Sequence, residues 1–358
     1  MRMRNRFLAA VLLLTLSFGA LSACTKSNET SSTLPAGIQR YSSRFLGVFD
    51  TVTNLVGLAE SEEDFAALND LVKEELERYH QLFDTFKSYE GINNLKTVND
   101  NAGIMPVEVD PAIIILMDQA ISANEKTSGR VNMALGPVLE IWHDYRDDGL
   151  NNPQDAKLPP MEDLLAADQF TDITKVEIDH EANTIYLPEE EMSLDVGSGA
   201  KGLAVELVTD IAKEAGYSDF LLSVGGNVKA VGFRDSISEN WRVGIQDPDG
   251  DEGEYIDIVY VTDMAVVTSG VYERYYTVDG QRYHHIINGE TLMPVYNFDA
   301  VTIIAPSSGL ADSLTTALFN MPLEEGQALI ESLDNVAALW VKEGEITYSE
   351  RMAELLEP

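Results

Sequence analysis

Asp195-Val196-Gly197-Ser198-Gly199-Ala200-Lys201-Gly202 leads into Leu203-Ala204-Val205-Glu206-Leu207-Val208-Thr209-Asp210-Ile211, and shortly after comes Phe220-Leu221-Leu222-Ser223-Val224-Gly225-Gly226-Asn227. Leu203, Leu207, Val208 and Ile211 fall on one face of a helix following Gly202, and Gly216 is a natural C-terminal stop. Phe220–Val224 is a short apolar run that reads as a strand entering a turn. The glycine-rich segment before the helix would present backbone N–H groups and the positive end of a helix dipole, which suits phosphate. Glycine also serves any tight turn, and the spacing is neither that of a P-loop nor that of a Rossmann fingerprint. Gly225-Gly226 is open in the same way, between a hairpin turn and a close approach of backbone to a ligand.

Upstream, Ser61 with Asp64 has the form of a capping box, and Phe65, Leu68, Val72, Leu76, Tyr79 and Phe83 make an apolar helix face. A second helix is expected from Asp110, with Pro111 in its first turn, to near Gly129. Downstream, helices are expected over 310–320 and 323–333. Strands are expected over 241–245, 256–261, 265–268, 283–287, 301–304 and 337–341. Helices and strands mix without strict alternation. The fold class is therefore α+β: a single large domain over 41–356 of mixed, mostly antiparallel sheets with packed helices.

The start of the chain reads as an export signal. Arg2, Arg4 and Arg6 precede an apolar run from Phe7 to Ala20, short for a membrane span and right for a secretory h-region. It ends Leu21-Ser22-Ala23-Cys24, similar to the lipobox of bacterial lipoproteins. The expectation is a signal peptide over 1–23, lipidation of Cys24, a Ser/Thr-rich tether over 24–40, and attachment to the outer face of the cytoplasmic membrane. Cys24 is the sole cysteine, which excludes a disulfide framework and a cysteine nucleophile or metal site elsewhere. The net charge is −36, and −39 without the three leader arginines. Such a surface excludes nucleic acid as a partner, since phosphate backbones need clustered Lys and Arg.

Two further segments carry polar groups of interest. Thr268-Ser269-Gly270 is followed by Tyr283-His284-His285-Ile286-Ile287, where adjacent histidines on a strand point to opposite faces. In Ala311-Asp312-Ser313-Leu314-Thr315-Thr316, Asp312 and Thr316 share a helix face. A carboxylate with a hydroxyl is a hard oxygen pair suited to Mg²⁺, although Asp312 alone would more often be a helix-start cap.

Taken in order along the chain, these segments resemble the ApbE family of FAD:protein FMN transferases. The counterparts are Phe49-Asp50-Thr51, Val131 to Pro137 through Trp142, Gly197 to Gly202, Ser223 to Asn227, Thr268 to Gly270, His285 to Gly289 and Ala311 to Ala317, so the likeness spans about residues 45 to 345. Asn132 and Asn227 stand where the family usually has Asp, Asn288-Gly289 replaces Asp-Pro, and Phe86 takes the place of a flavin-stacking tyrosine, with Tyr89 as the alternative stacking ring. The resemblance implies an ApbE/T-fold-like domain that uses Mg²⁺ and FAD to attach FMN through a phosphoester to a threonine of an acceptor protein, releasing AMP. It implies flavin-nucleotide contacts at Phe49, Phe86, Arg130, Val131, Asn132, Asp195, Ser198, Lys201, Gly225, Gly226, Ser269, Gly270 and Ile286. It implies Mg²⁺ at the Ser198 carbonyl, Asp312 and Thr316, with His285 and Asp312 catalytic. Two alternatives remain open at this level: an FAD pyrophosphatase, and a flavin- or solute-binding lipoprotein without turnover.

Overall fold

In the segment entering the domain, Tyr41, Ser43 and Phe45 turn inward while Arg40, Ser42 and Arg44 face solvent. That period-two alternation makes β1 (Gln39–Val48), paired with β2 (Thr51–Ala59) through a two-residue turn, Phe49-Asp50, in which both residues have positive φ. The computed structural model describes residues 34–356, with 252 and 273 left out. The leader and Cys24 lie outside the described residues. Gln39 and Arg40 already belong to β1, so the ordered fold reaches into the stretch read as tether.

A run of helices and short strands follows in the chain. They are α1 (Glu62–Phe83), α2 (Leu95–Asp100), β3 (Val107–Glu108), α3 (Pro111–Lys126), α4 (Gly136–Asn151), α5 (Met161–Ala167), β4 (Glu177–Asp179) and β5 (Thr184–Tyr186). Ser61 caps α1 as expected by accepting from the Asp64 N–H. Asp110 caps α3, with Pro111 at its first position. Then come α6 (Ala200–Glu214), β6 (Phe220–Val224), β7 (Asn227–Val231), β8 (Trp241–Gln246), β9 (Tyr255–Val261), β10 (Ala265–Gly270), β11 (Tyr275–Val278) and β12 (Gln281–His284). The chain ends with β13 (Ala300–Ala305), α7 (Ser308–Phe319), α8 (Leu323–Glu331), β14 (Ala337–Lys342) and β15 (Glu345–Tyr348).

Eight strands form one sheet in the order β1-β2-β6-β7-β10-β13-β14-β15, every neighbouring pair antiparallel. The α+β expectation with mostly antiparallel sheets holds. Both faces of the sheet are covered, and the strand residues alternate accordingly. Val267, Ile303 and Ala338 join the core with α7, whereas Val266, Ile304 and Leu339 join the core with the β8–β9 hairpin. Toward the other edge, β2 and β6 pack with α1, α3 and α6. None of the described helices is long and apolar enough to cross a membrane.

Two expectations need correcting. The helix expected after Gly202 begins at Ala200, so Lys201 and Gly202 lie in its first turn. The strand expected over 283–287 is instead Gln281–His284. Past His284 the backbone bends, because the Ile286 N–H donates to His284 Nδ1, and Ile287 makes only an isolated bridge to Pro294.

Candidate active site

The centre of the site is where α6 meets α7. A Cβ on Gly202 would lie 2.4 Å from the Ser308 carbonyl oxygen and 2.5 Å from Asp312 Cβ, so only glycine allows this approach. A Cβ on Gly199, just before α6, would lie 2.6 Å from Met133 Cε and 3.1 Å from Ser313 Oγ of α7. The contact sets Asp312 at the N-terminus of α6, where its Oδ2 accepts the Gly202 N–H at 2.8 Å. Asp312 is not a cap. Ser307 caps α7, and its hydroxyl donates to Glu206 of α6. Asp312 lies farther along α7, on a helix buried nearly all round, and is only 4% exposed. Burial raises its pKa above the ordinary 3.8, while Lys201, the Gly202 N–H and the Asn227 side chain oppose the rise.

The turn after β6 brings in the third segment. Gly225 and Gly226 both have positive φ and close the β6–β7 hairpin, with Val224 opposite Asn227. A Cβ on Gly225 would meet Thr51 Oγ1 at 2.4 Å, so the glycine also admits the start of β2. Both readings of this turn thus apply at once: it closes a hairpin, and its backbone is closely approached. Asn227 is buried beside Asp312.

The second end of the site is an aromatic rim. Phe86 is 68% exposed, held on a turn whose Phe86 and Lys87 N–H groups donate to Asp84. Its ring lies 5.8 Å from that of His143 on α4. His143 Nε2 is 3.9 Å from Asp195 Oδ2, and Asp195 Oδ1 accepts the Gly197 N–H, which fixes the glycine loop. Burial lowers the His143 pKa despite Asp195. Tyr89 spends its hydroxyl on Asp84, and burial with that carboxylate pushes its pKa up to about 12. Phe86 is therefore the ring left presented to solvent. His143 was not foreseen. Its one sequence signal is its place directly after Trp142, on the helix that Pro137 opens.

A recess beside His143 is lined also by Trp142, Arg146, Tyr283 and His285. His285 Nδ1 donates to the Arg274 carbonyl oxygen at 3.2 Å, which leaves Nε2 as an acceptor. Burial pushes its pKa down to about 3, and Arg274 and Lys201 add to the shift. In a chain of net charge −36, the groups acting on these two histidines include Arg146, Arg274 and Lys201. Asp195 and Asp147 oppose the cations at His143, so basic and acidic groups meet at this recess.

Other expected contacts are already engaged. Arg130 pairs with Glu290 at 3.2 Å and Glu325 at 3.7 Å. Val131 is a core residue, and Asn132 caps the turn at Met133–Leu135 while donating to the Thr171 carbonyl. Ser269 donates to Thr315, whose hydroxyl donates to the Asp312 carbonyl oxygen, so Thr-Ser-Gly braces α7. A Cβ on Gly270 would collide with the Tyr272 ring at 2.2 Å. Ile286 is buried, with its N–H bound to His284 and its carbonyl to the Val295 N–H. Phe49 holds positive φ at the hairpin turn and packs edge-on against His80. Thr316, one turn beyond Asp312, is half-buried. The three proposed oxygen donors, Asp312, Thr316 and the Ser198 carbonyl, come from α7 and the loop packed on it. All are hard ligands of the kind Mg²⁺ takes.

The ApbE family model matches residues 49–340. The chain is similar to an FAD:protein FMN transferase of Treponema pallidum (strain Nichols), 34% identical over 260 residues, which are 69% of this chain and 70% of the relative. It is similar also to one of Klebsiella pneumoniae (strain 342), 29% identical over 269 residues, 73% and 81% of the two chains. Among solved structures, the ApbE protein of Thermotoga maritima matches with a TM-score of 0.78 at 28% identity, covering 89% of this chain and 100% of that one. The flavin transferase ApbE of Vibrio cholerae matches with 0.74 at 25% identity, covering 90% and 100%. The family match takes in the hairpin turn at Phe49, the glycine loop, the Gly-Gly turn and α7 in a single span, and the chain belongs to the ApbE family.

Proposed function

We propose that this chain is a Mg²⁺-dependent FAD:protein FMN transferase. The observation that carries the reading is Asp312: a buried carboxylate at the N-terminus of α6, beside Lys201, with a hydroxyl one turn away. Burial disfavours the charged form of this carboxylate and its hydrogen-bond partners are neutral donors, so a cation bound there would favour the ionised state. The names of the relatives supply the substrate pair, FAD and a protein.

Asp312, Thr316 and the Ser198 carbonyl would hold Mg²⁺. Bound there, Mg²⁺ would offset charge on the pyrophosphate and on AMP as it leaves. Phe86 offers the exposed ring on which an isoalloxazine can stack. Lys201, in the first turn of α6, would meet the pyrophosphate with its ammonium group at the positive end of the helix. A threonine hydroxyl of the acceptor would attack the phosphorus on the FMN side, the bond from that phosphorus to the AMP oxygen would break, and His285 Nε2 would accept the hydroxyl proton. The low pKa keeps His285 neutral, and an anionic diphosphate bound beside it would raise that pKa toward the working pH, which a base here requires.

Incubating the protein with FAD, Mg²⁺ and a flavin-acceptor domain should give a fluorescent band and an FMN-sized mass gain on the acceptor. AMP release with no labelled acceptor would point to the pyrophosphatase, and flavin binding without AMP to a carrier. The export reading is part of the same proposal: Cys24 carries the lipid, and the enzyme works outside the cytoplasmic membrane. Cys24→Ala protein should leave the membrane fraction, and membrane retention equal to wild type would rule out the lipobox.

A further inference from the structure

Asn227 opens β7 directly after the glycine turn and pairs with Val224 on one side and Val267 on the other. It is 2% exposed. Its side chain lies beside the Asp312 carboxylate and helps hold that carboxyl's pKa down, and the NH₂ group is the part of the amide that can donate to it. Its Oδ1 is buried and has no hydrogen-bond partner among the described residues. Buried amide oxygens are rarely left this way without a role.

The arrangement has one negative charge at its centre. The partners of Asp312 are the Gly202 N–H and the Asn227 amide, both neutral donors, with Lys201 nearby. Among the described residues, no group of three or more His, Cys, Asp or Glu could hold a metal ion. Mg²⁺ gives up water reluctantly and binds through one or two carboxylates completed by substrate phosphates. A site with a single carboxylate therefore leans on the phosphates for the rest.

We propose that Asn227 makes cation binding in this chain depend on the diphosphate. The cation is held only together with FAD, and Asn227 Oδ1 is a neutral oxygen donor to that pair. The proposal rests on Asp312 being the ligand, as argued above. When neither is bound, the Asn227 NH₂ group satisfies the lone carboxylate, so the pocket keeps its shape without a cation. An Asp at this position would set two buried carboxylates side by side, and these would draw in a free cation without phosphate.

Titration of the flavin-free full chain with Mn²⁺, followed by the electron paramagnetic resonance of free Mn²⁺, tests this. Three conditions are compared: no ligand, riboflavin, and FAD, with FAD in buffer as the blank. Uptake should be weak alone and with riboflavin, and at least about tenfold tighter with FAD. Asn227→Asp should tighten uptake without FAD by at least about tenfold and shrink the gain from FAD. Asn227→Ala, which removes the oxygen without adding charge, should weaken uptake with FAD and serves if Asn227→Asp does not fold. Tight wild-type uptake without FAD would leave Asp312 as a ligand and overturn the coupling. Wild-type behaviour in both variants would overturn the role of Asn227. No uptake in any condition would overturn the metal assignment and this proposal together.

Discussion

Asp312 is 4% exposed and Phe86 is 68% exposed, and the proposed function assigns both to one site. Around Asp312 the contacts join segments far apart in sequence: the α6 start through its backbone, the first residue of β7 through its side chain, and α7. Around Phe86 they are local, a turn tied to Asp84 and one neighbouring ring from α4. The first region is fixed by packing before any ligand arrives. The second presents an apolar face and gains its partner from the ligand. Phosphate chemistry needs donors held at fixed positions. A stacking platform needs only a flat, accessible surface. The division of labour follows from those two requirements.

The largest effect is expected at the buried end. Asp312→Asn keeps the shape of the side chain and removes its charge. Its oxygen can still accept the Gly202 N–H, and Asn227 can turn its free Oδ1 toward the new amide. The fold should survive, while AMP release should fall at least about 100-fold, since a metal's charge stabilisation is worth several kcal/mol. Stability should respond to pH in a defined sense. The Asp312 pKa is raised in the folded state, so the folded protein holds that proton more tightly than the unfolded chain. Its contribution is full below 3.8 and is lost as pH rises through the raised value. In chelator, wild type should lose melting temperature over that range, and Asp312→Asn should lack this component. Adding Mg²⁺ with FAD should restore wild type alone. Equal AMP release by both proteins would remove Asp312 from the chemistry.

The two regions were not equally legible in the sequence. Glycine motifs, the Asp312/Thr316 spacing and the ring at Phe86 are visible as residue types at fixed intervals. What they do depends on partners that spacing does not name. In the sequence Asp312 alone reads more often as a cap, because a cap and a buried ligand differ only in whether Ser307 has already taken the helix start. Ser269, Val131 and Ile286 lie within matching motifs, but their polar groups or side chains are used by the fold. The β1–β2 hairpin went unread although its alternation is present, since Arg40, Ser42 and Arg44 dilute the apolar signal. Its turn also uses Phe49-Asp50 where Asn-Gly would announce it. An aromatic residue at positive φ is uncommon and marks the same end of the sheet as Thr51 and Gly225.

The smaller effect is expected at the exposed end, and it separates the two regions most cleanly. Phe86 makes its ring contact with His143 and is otherwise open, so Phe86→Ala should change folding stability by no more than about 0.5 kcal/mol. Stacking of a flat heterocycle on an aromatic side chain is worth about 1–3 kcal/mol, so FAD affinity should weaken by roughly tenfold or more. Phe86→Tyr should bind FAD as wild type does, because the ring surface is kept. At saturating FAD, AMP release by Phe86→Ala should stay near the wild-type rate, since the donors around Asp312 are untouched. Flavin fluorescence quenching gives the affinity, and AMP release on the same preparation gives the rate. A Phe86→Ala protein with unchanged affinity would move the flavin away from this rim. One with normal affinity for FAD but a large loss of rate would tie the rim to the buried centre and dissolve the distinction between them.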